Sequence, residues 1–343
     1  DFVFATCLPG VEPAVKLEVA RTRPDLRFAY SRPGLVTFKA ARAVAPEDPP
    51  GSAFARVWGR SIGAASDPAA AAHQLAYLGA NRLHVFARDP EAAGDLEPWI
   101  ASLSAGSIPA GIVDERHERR AAPRERWVGL PTGSAADGEL VADVIVAADE
   151  PAWLGVHRHD ASRSPHPGGV WIVDVPADAP SRAYAKIEEA IAWAGLPVEA
   201  GHIALEIGCA PGGALLALAR RGVEVWGVDT AALAPQVIAE PNVHHLAVKV
   251  GALRWEQLPP RIDWLLVDVN LAPQVALHEV ARLMPKLRTT LRGGVFTLKL
   301  NDWSFVAELP KLVERIREMG FSSVALRHLP SNRREICAIA RRS

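Results

Sequence analysis

Lys186, Asp268, Lys299 and Glu335 are scattered over the second half of the chain, around a glycine-rich turn reading Leu205-Glu-Ile-Gly-Cys-Ala-Pro-Gly-Gly213. Of the 38 basic residues only seven are lysine, so arginine is this chain's default cation. A lysine can be pushed to release its proton near neutral pH, whereas a guanidinium cannot. Lysine at positions 186 and 299, where arginine would serve for charge alone, therefore points to proton chemistry. Asp268 and Glu335 are the carboxylates available to orient the two ammonium groups. Taken singly each residue has an ordinary reading: Asp268 as a helix cap, Lys299 as a charge at a sheet edge, Glu335 as an exposed strand residue.

The glycine turn suits a nucleotide-bearing cofactor. Glycines between strand and helix let a ligand approach the backbone, and the helix N-terminus beyond offers free N–H groups. Dinucleotide enzymes and methyltransferases both use such a turn. Gly208-Cys-Ala-Pro-Gly-Gly213 departs from GxGxxG, with Pro211 at its fourth position. Glu206 would repel a pyrophosphate but could receive the amino group of a methionine moiety, directly or through water. Asp229, at the end of the next strand, can accept from ribose hydroxyls. The turn residues Gly208, Ala210, Pro211, Gly212 and Gly213, with Glu206 and Asp229, thus favour S-adenosyl-L-methionine over NAD.

Three segments position these groups. Residues 1–48 read as strand Phe2 to Cys7, helix Val11 to Arg21, and strands Leu26 to Tyr30 and Leu35 to Lys39. The proline- and acid-rich stretch Ala45 to Gly51 suits a linker. Residues 52–162 mix strands at Leu83 to Ala87, Leu140 to Ala147 and Trp153 to His157 with helices at Pro68 to Leu78 and Glu97 to Ala105, a small α+β domain. From 171 to 343 the alternation becomes regular, which implies an α/β fold, a Rossmann-like parallel sheet covered on both faces. Its first helix follows Pro180, with Ser181 to cap it and Gly195 to end it. Strands are expected at His202 to Gly208, Val223 to Val228, Val243 to Val248, Ile262 to Asp268 and Gly294 to Leu300. Helices are expected at Gly213 to Arg221, Ala231 to Ala239, Pro273 to Leu291 and Trp303 to Met319. Phe321 to Arg327 and Glu335 to Ala340 are linked without a helix, which favours an antiparallel hairpin closing a seven-stranded sheet. Asp268 and Lys299 then end neighbouring strands at the carboxyl edge, where ligands bind in such folds.

Composition narrows the function classes. With 343 residues and 49% hydrophobic content the chain can fill more than one core, and it reads as a soluble globular protein. No apolar run spans a membrane, and Asp1 to Gly10 lacks a secretory signal. Asp1 in place of Met implies that residues precede it. Cys7, Cys209 and Cys337 form no CxxC pair, consistent with a reducing cytoplasm. Residues 1–170 carry 18 Lys+Arg against 21 Asp+Glu, and 171–343 carry 20 against 18, so any RNA contact must use local patches. Candidates are His157-Arg158-His159 with Arg163 and His166, the pairs Arg333-Arg334 and Arg341-Arg342, and Arg116 to Arg120. Each also reads as a solvated face. No metal is expected, because the histidines lack cysteine or carboxylate partners at ligand spacing.

The third segment resembles the FtsJ-like RNA 2′-O-ribose methyltransferases, whose Lys-Asp-Lys-Glu tetrad maps in order onto Lys186, Asp268, Lys299 and Glu335. It is most similar to the bacterial 23S rRNA cytidine 2′-O-methyltransferase (RlmM) branch. Pro176-Ala-Asp-Ala-Pro-Ser-Arg182 followed by Lys186-Ile-Glu-Glu-Ala190 carries that similarity, and Leu8-Pro-Gly-Val-Glu12 and Phe54-Ala-Arg56 extend it weakly towards the start. The resemblance implies a ferredoxin-like piece and a THUMP-like RNA-binding domain in the first two segments. It also implies S-adenosyl-L-methionine as cofactor, and rRNA or a ribosome-assembly intermediate as partner. Val250 stands where the family places an aspartate for the adenine amino group, and Ala183 where the branch has serine.

The implied chemistry agrees with the residues. A ribose hydroxyl is a poor nucleophile and must be held in line with the methyl donor. Lys299 is the expected general base, with positive charge from Lys186 and partial desolvation lowering its pKa and the carboxylates opposing that drop. Lys186 could instead stabilise the developing alkoxide. Asp268 could also face the sulfonium. Another RNA such as tRNA, or RNA binding without catalysis, remain the alternative functions.

Overall fold

Runs of β-branched and aromatic residues build two separate seven-stranded sheets. The structure is a computed structural model, and it describes residues 1–48, 51–88, 96–105, 129–148 and 150–342. The basic stretch Arg116 to Arg120 lies outside the described residues. The chain divides into two compact units, Asp1–Val170 and Trp171–Ser343.

The first unit contains β1 (Phe2–Thr6), α1 (Glu12–Thr22), β2 (Leu26–Arg32), β3 (Leu35–Ala40), β4 (Trp58–Ala65), α2 (Pro68–Leu75), β5 (Arg82–Ala87), α3 (Leu96–Ser104), β6 (Leu140–Ala147) and β7 (Glu150–Arg158). Its sheet order is β2-β3-β1-β4-β7-β6-β5, antiparallel except for β5 with β6. The strand β4 is not evident in the sequence, because Trp58-Gly-Arg-Ser-Ile-Gly-Ala-Ala65 lacks clean alternation. It is a strand because both of its edges are paired, to β1 and to β7. The sheet therefore runs across the proline-rich stretch at 45–51. Buried Glu18 on α1 ties the far side of that stretch, accepting from Ser52 Oγ (2.9 Å) and Ala53 N–H (2.8 Å).

This sheet is rolled. Tyr30 on β2 and Trp153 on β7 stack with ring centroids 6.0 Å apart, although β3, β1 and β4 lie between them in the sheet order. A flat sheet would separate β2 from β7 by roughly 19 Å. Bulges at Phe28/Tyr30, Ser61/Gly63 and Ile145/Ala147 supply the bend. Phe4, Leu35, Val57, Phe86 and Ile145 pack together with Trp153 against them, while α2 and α3 cover a second core with β5 and β6.

The histidine-rich stretch is not the basic surface that its composition allows. His157 on β7, and His159 and Arg163 after it, are all buried, whereas Arg158 is exposed. Arg163 donates to the Trp58 carbonyl (2.6 Å), pairs with Asp160 (3.1 Å) and lies over the Trp58 ring. His157 Nδ1 meets Asp143 Oδ2 at 2.5 Å, and His84 Nε2 lies 3.0 Å from the Gly133 carbonyl, to which it donates. Among the described residues no group of histidine, cysteine or carboxylate side chains could hold a metal.

The second unit contains α4 (Ala183–Ala194), β8 (Ile203–Ile207), α5 (Gly213–Arg220), β9 (Glu224–Val228), α6 (Pro235–Ile238), β10 (Val243–Leu246), β11 (Trp264–Val267), α7 (Pro273–Ala281), α8 (Met284–Leu287), β12 (Gly293–Lys299), α9 (Leu309–Glu318), β13 (Ser323–Arg327) and β14 (Glu335–Arg341). The order is β10-β9-β8-β11-β12-β14-β13. β14 pairs antiparallel with both β12 and β13, so the expected hairpin is present with its second strand on the inside. Three expected helices are shorter or broken. The first, at Ala231 to Ala239, is a single turn opened by Pro235, and the stretch from Pro273 divides into α7 and α8. The stretch from Trp303 begins as a 3₁₀ segment and becomes α-helical at Leu309. In each case a proline lacking an N–H sits in a first turn, where it starts a helix but cannot continue one. Gly195 ends α4 at φ 55° as expected. Arg182 occupies the N-cap position without a side-chain cap, and Ser181 Oγ accepts only from Ala183 N–H, at 3.3 Å.

Burial pushes the His84 imidazole down to about 4; nearby Asp143 opposes this and His157 adds to it. Its folded pKa lies below the ordinary value near 6.5, so the unfolded chain binds more protons between these values. The folded state therefore loses stability as pH falls from about 6.5 towards 4. We expect His84→Gln, which can still donate to Gly133, to remove on the order of 3 kcal/mol of that loss. Urea unfolding of both proteins at pH 7 and pH 4.5 tests this, and identical pH dependence would reject it.

Candidate active site

The order of the second sheet reverses at β8, so a crevice opens where the carboxyl ends of β8 and β11 diverge. Asp268 follows β11 directly, its N–H bonded to the Ile207 carbonyl at 3.0 Å. Lys299 ends β12, Glu335 begins β14, and the two are register partners in the antiparallel ladder. Lys186 reaches the same point from the second turn of α4.

The four side chains form a closed ring of alternating charge. Lys186 Nζ lies 3.0 Å from Asp268 Oδ2 and 2.6 Å from Glu335 Oε1. Lys299 Nζ lies 2.6 Å from Asp268 Oδ1 and 2.7 Å from Glu335 Oε2. Each ammonium therefore bridges both carboxylates, and the ring has no net charge. Glu335 is buried rather than an exposed strand residue.

The ring sets the direction of the Lys299 pKa, which sequence alone leaves open. Burial pulls the ammonium down, but the charge and hydrogen bonds of Asp268 and Glu335 outweigh it and hold Lys299 above the usual lysine range. Burial pushes Glu335 up, and hydrogen bonds from Lys186 and Lys299 more than reverse this. The free protein thus keeps Lys299 protonated at neutral pH. A narrow cleft lined by Lys186, Asp268 and Glu206 is further bounded by Ala183, Ile187, Leu329, Asn332 and Cys337. Leu329 and Asn332 belong to a loop whose part in the site has no signal in the sequence beyond its brevity.

The glycine turn lies beside the ring and fits the expected cofactor in two respects. Gly208 has φ +86°, and a Cβ there would stand 2.6 Å from the Asp268 carbonyl oxygen. Gly212 caps α5 at φ 106° without a side-chain cap, and Gly213 follows it as the first helical residue. Glu206, 2% exposed, has Oε2 without a hydrogen-bond partner. Burial, followed by the charges of Asp268 and Asp229, holds its carboxyl well above the ordinary range. A buried carboxyl oxygen without a partner suits an arriving ammonium group.

Asp229 also braces the turn, accepting from Ala210 N–H (3.1 Å) and Ala231 N–H (3.0 Å). The Ala210–Pro211 peptide is cis. Val250 opens a 3₁₀ turn, and its carbonyl accepts from Arg282 at 2.7 Å. The structure brings Lys186, Asp268, Lys299 and Glu335 into contact and sets Glu206 and Gly208 beside Asp268. Val250 has no contact of this kind with the ring.

Comparison with known proteins gives a consistent set of relatives. The chain is 36% identical over 235 residues to ribosomal RNA large subunit methyltransferase M of Alkalilimnicola ehrlichii, a match covering 63% of this chain and 59% of that protein. It is 30% identical over 261 residues to the protein of the same name from Halorhodospira halophila, covering 74% of this chain and 72% of the relative. The chain thus spans less than two thirds of the first relative's length. A solved structure, TrmN from Thermus thermophilus, aligns over 99% of both chains at 15% identity and a TM-score of 0.34. No family model matches the chain.

If Glu206 is held protonated until an ammonium group arrives, binding of S-adenosyl-L-methionine will release a proton. Calorimetric titration in buffers of different ionisation enthalpy should show this release near neutral pH, with affinity rising as pH rises. Glu206→Gln should bind more weakly and release none. Equal proton release by both proteins would remove Glu206 from the cofactor site.

Proposed function

Because the chain belongs to the ribosomal RNA large subunit methyltransferase M family, we propose that it methylates a ribose 2′-hydroxyl of 23S rRNA, a cytidine's, using S-adenosyl-L-methionine. The observation that supports this best is the ring of Lys186, Asp268, Lys299 and Glu335. Within the first unit, residues 1–48 would be the ferredoxin-like piece and residues 52–162 the THUMP-like domain that docks RNA. RNA is recognised largely by shape and by phosphate and 2′-hydroxyl contacts, so a net charge of −1 is compatible with that role.

S-adenosyl-L-methionine supplies an electrophilic methyl group on a sulfonium. Glu206 would hold its amino group, the backbone of Gly208 to Gly213 would pass close beneath it, and Asp229 would take its ribose while bracing the turn. Ala210 and Pro211 shape that turn, and Val250 would lie at the adenine with no carboxylate to offer. Asp268 joins the two halves of the site, since it touches both lysines and contributes its backbone to the wall behind Gly208.

Lys299 would take the proton of the attacking hydroxyl. Its raised pKa in the free chain means that it becomes a base only when the pull of the carboxylates weakens on substrate binding or when the pH is high. Lys186, with the same two carboxylates as partners, would stabilise the forming alkoxide. The cytoplasm, where ribosomes are assembled, is the corresponding location.

Incubation with labelled S-adenosyl-L-methionine and total RNA from a strain lacking this gene, followed by nucleoside analysis, tests the reading. We expect label in 2′-O-methylcytidine of large-subunit rRNA, and a loss of about 100-fold or more in Lys299→Ala. Lys299→Arg should not rescue, because a guanidinium holds its proton. The wild-type rate should climb through neutrality into the alkaline range, following the raised Lys299 pKa. Label in tRNA would move the substrate, and cofactor binding without any label would reject methyl transfer to these RNAs.

A further inference from the structure

The second glutamate of Lys186-Ile-Glu-Glu-Ala190 has no part in the chemistry above. Glu189 is 4% exposed and lies three residues after Lys186, hence on the same side of α4. Its Oε2 accepts from the Ser331 backbone N–H at 2.9 Å, and its Oε1 accepts from the Ser331 hydroxyl at 2.7 Å. Arg182, four residues before Lys186, donates to the Ser331 carbonyl at 3.1 Å. One helical stretch therefore grips a single loop residue from both sides of Lys186.

That loop is short and internally closed. Leu329 N–H donates to Asn332 Oδ1 (2.8 Å), Asn332 N–H donates to the Leu329 carbonyl (2.9 Å), and His328 Nε2 lies 2.9 Å from the Arg333 carbonyl. Leu300 N–H then bonds the Arg334 carbonyl at 2.8 Å, and the next residue is Glu335. Glu335 stands at the very start of β14, where a ladder constrains a residue from one side only. Its placement against the lysines therefore depends on the loop that precedes it.

We propose that Glu189 is a positioning residue for this site, holding Ser331 so that the loop delivers Glu335 to Lys186 and Lys299. The two bonds are charge-assisted and share one acceptor group, which fixes both the distance and the orientation of Ser331. Loss of the grip lets Glu335 retreat and leaves Lys299 with Asp268 as its main anionic partner. The catalytic role assigned to the ring rests on the reading above, whereas the positioning of Glu335 does not.

With only seven lysines in the chain, side-chain nitrogen resonances can follow Lys299 by NMR, and this readout needs no activity. In Glu189→Ala, Lys299 should titrate at lower pH than in the wild type, because Glu335 no longer holds its proton. Glu189→Gln keeps an acceptor for the Ser331 N–H and a partner for its hydroxyl, and should titrate like the wild type. In methyl transfer, Glu189→Ala should lower kcat by about 10- to 100-fold with KM for S-adenosyl-L-methionine nearly unchanged, and Glu189→Gln should restore most of the rate. Should Glu189→Ala fail to fold, Ser331→Ala removes one of the two bonds and should give the same shift, smaller. Unchanged Lys299 titration in a folded Glu189→Ala or in Ser331→Ala, or equal effects of Ala and Gln at position 189, would overturn the proposal. A moved titration in a protein that transfers no methyl would overturn the functional reading alone.

Discussion

Everything in the second unit converges on the need to keep two ammonium groups and two carboxylates within 3.0 Å of one another at the edge of a sheet. Such a ring is poor material for stability alone. Desolvating four charges costs about as much as their attraction returns, and apolar groups of similar volume would often hold the fold equally well. The sequence also concentrates here two of its few lysines in a chain that otherwise uses arginine. The site is better understood as a device that the fold supports than as one that supports the fold.

The topology meets the geometric requirement. In a wholly parallel sheet every strand would present its carboxyl end at the crevice. Placing β14 antiparallel beside β12 brings the first residue of one strand opposite the last residue of the other, which sets Glu335 against Lys299. The order reversal at β8 opens the crevice next to β11, so that Asp268 can face both the lysines and the glycine turn. Lys186 then needs only a helix passing over the same edge, and α4 supplies it, with Tyr184, Ile187, Ala190 and Ile191 packed into the core formed with α5.

Much of this arrangement was legible. Strand ends after regular alternation located Asp268 and Lys299 on one edge, and a short helix-free link located the hairpin. What stayed hidden depends on distant partners. The strand β4 looks irregular because its glycines break the alternation, and only pairing on both edges makes it a strand. The stretch His157 to Arg163 reads as a basic patch, but three of its side chains are buried in the unit. The long helices expected around Pro235, Pro285 and Pro310 are cut by residues whose effect is local and readable, but whose winning over hydrophobic periodicity is settled by packing. Nothing in the sequence pairs Glu189 with Ser331, because the contact spans 142 positions.

The sign of the Lys299 pKa shift has a consequence for how the site can work. Sequence reasoning brings a second lysine and partial burial to bear, which would lower that pKa, against two carboxylates that would raise it, and leaves the sign open. The geometry adds that each ammonium touches two carboxylates, so the attraction prevails and the proton is held. A base that is fully formed before substrate arrives is therefore not what this ring provides. On the proposed reading, Lys299 would be a proton acceptor whose strength is set by how tightly Asp268 and Glu335 engage it. Asp268 follows β11 and is held by its backbone bond to Ile207, whereas Glu335 opens β14 directly after a loop. On the proposal above, Glu189 and the loop from Leu329 to Arg334 would set where β14 begins, and so how closely Glu335 engages Lys299.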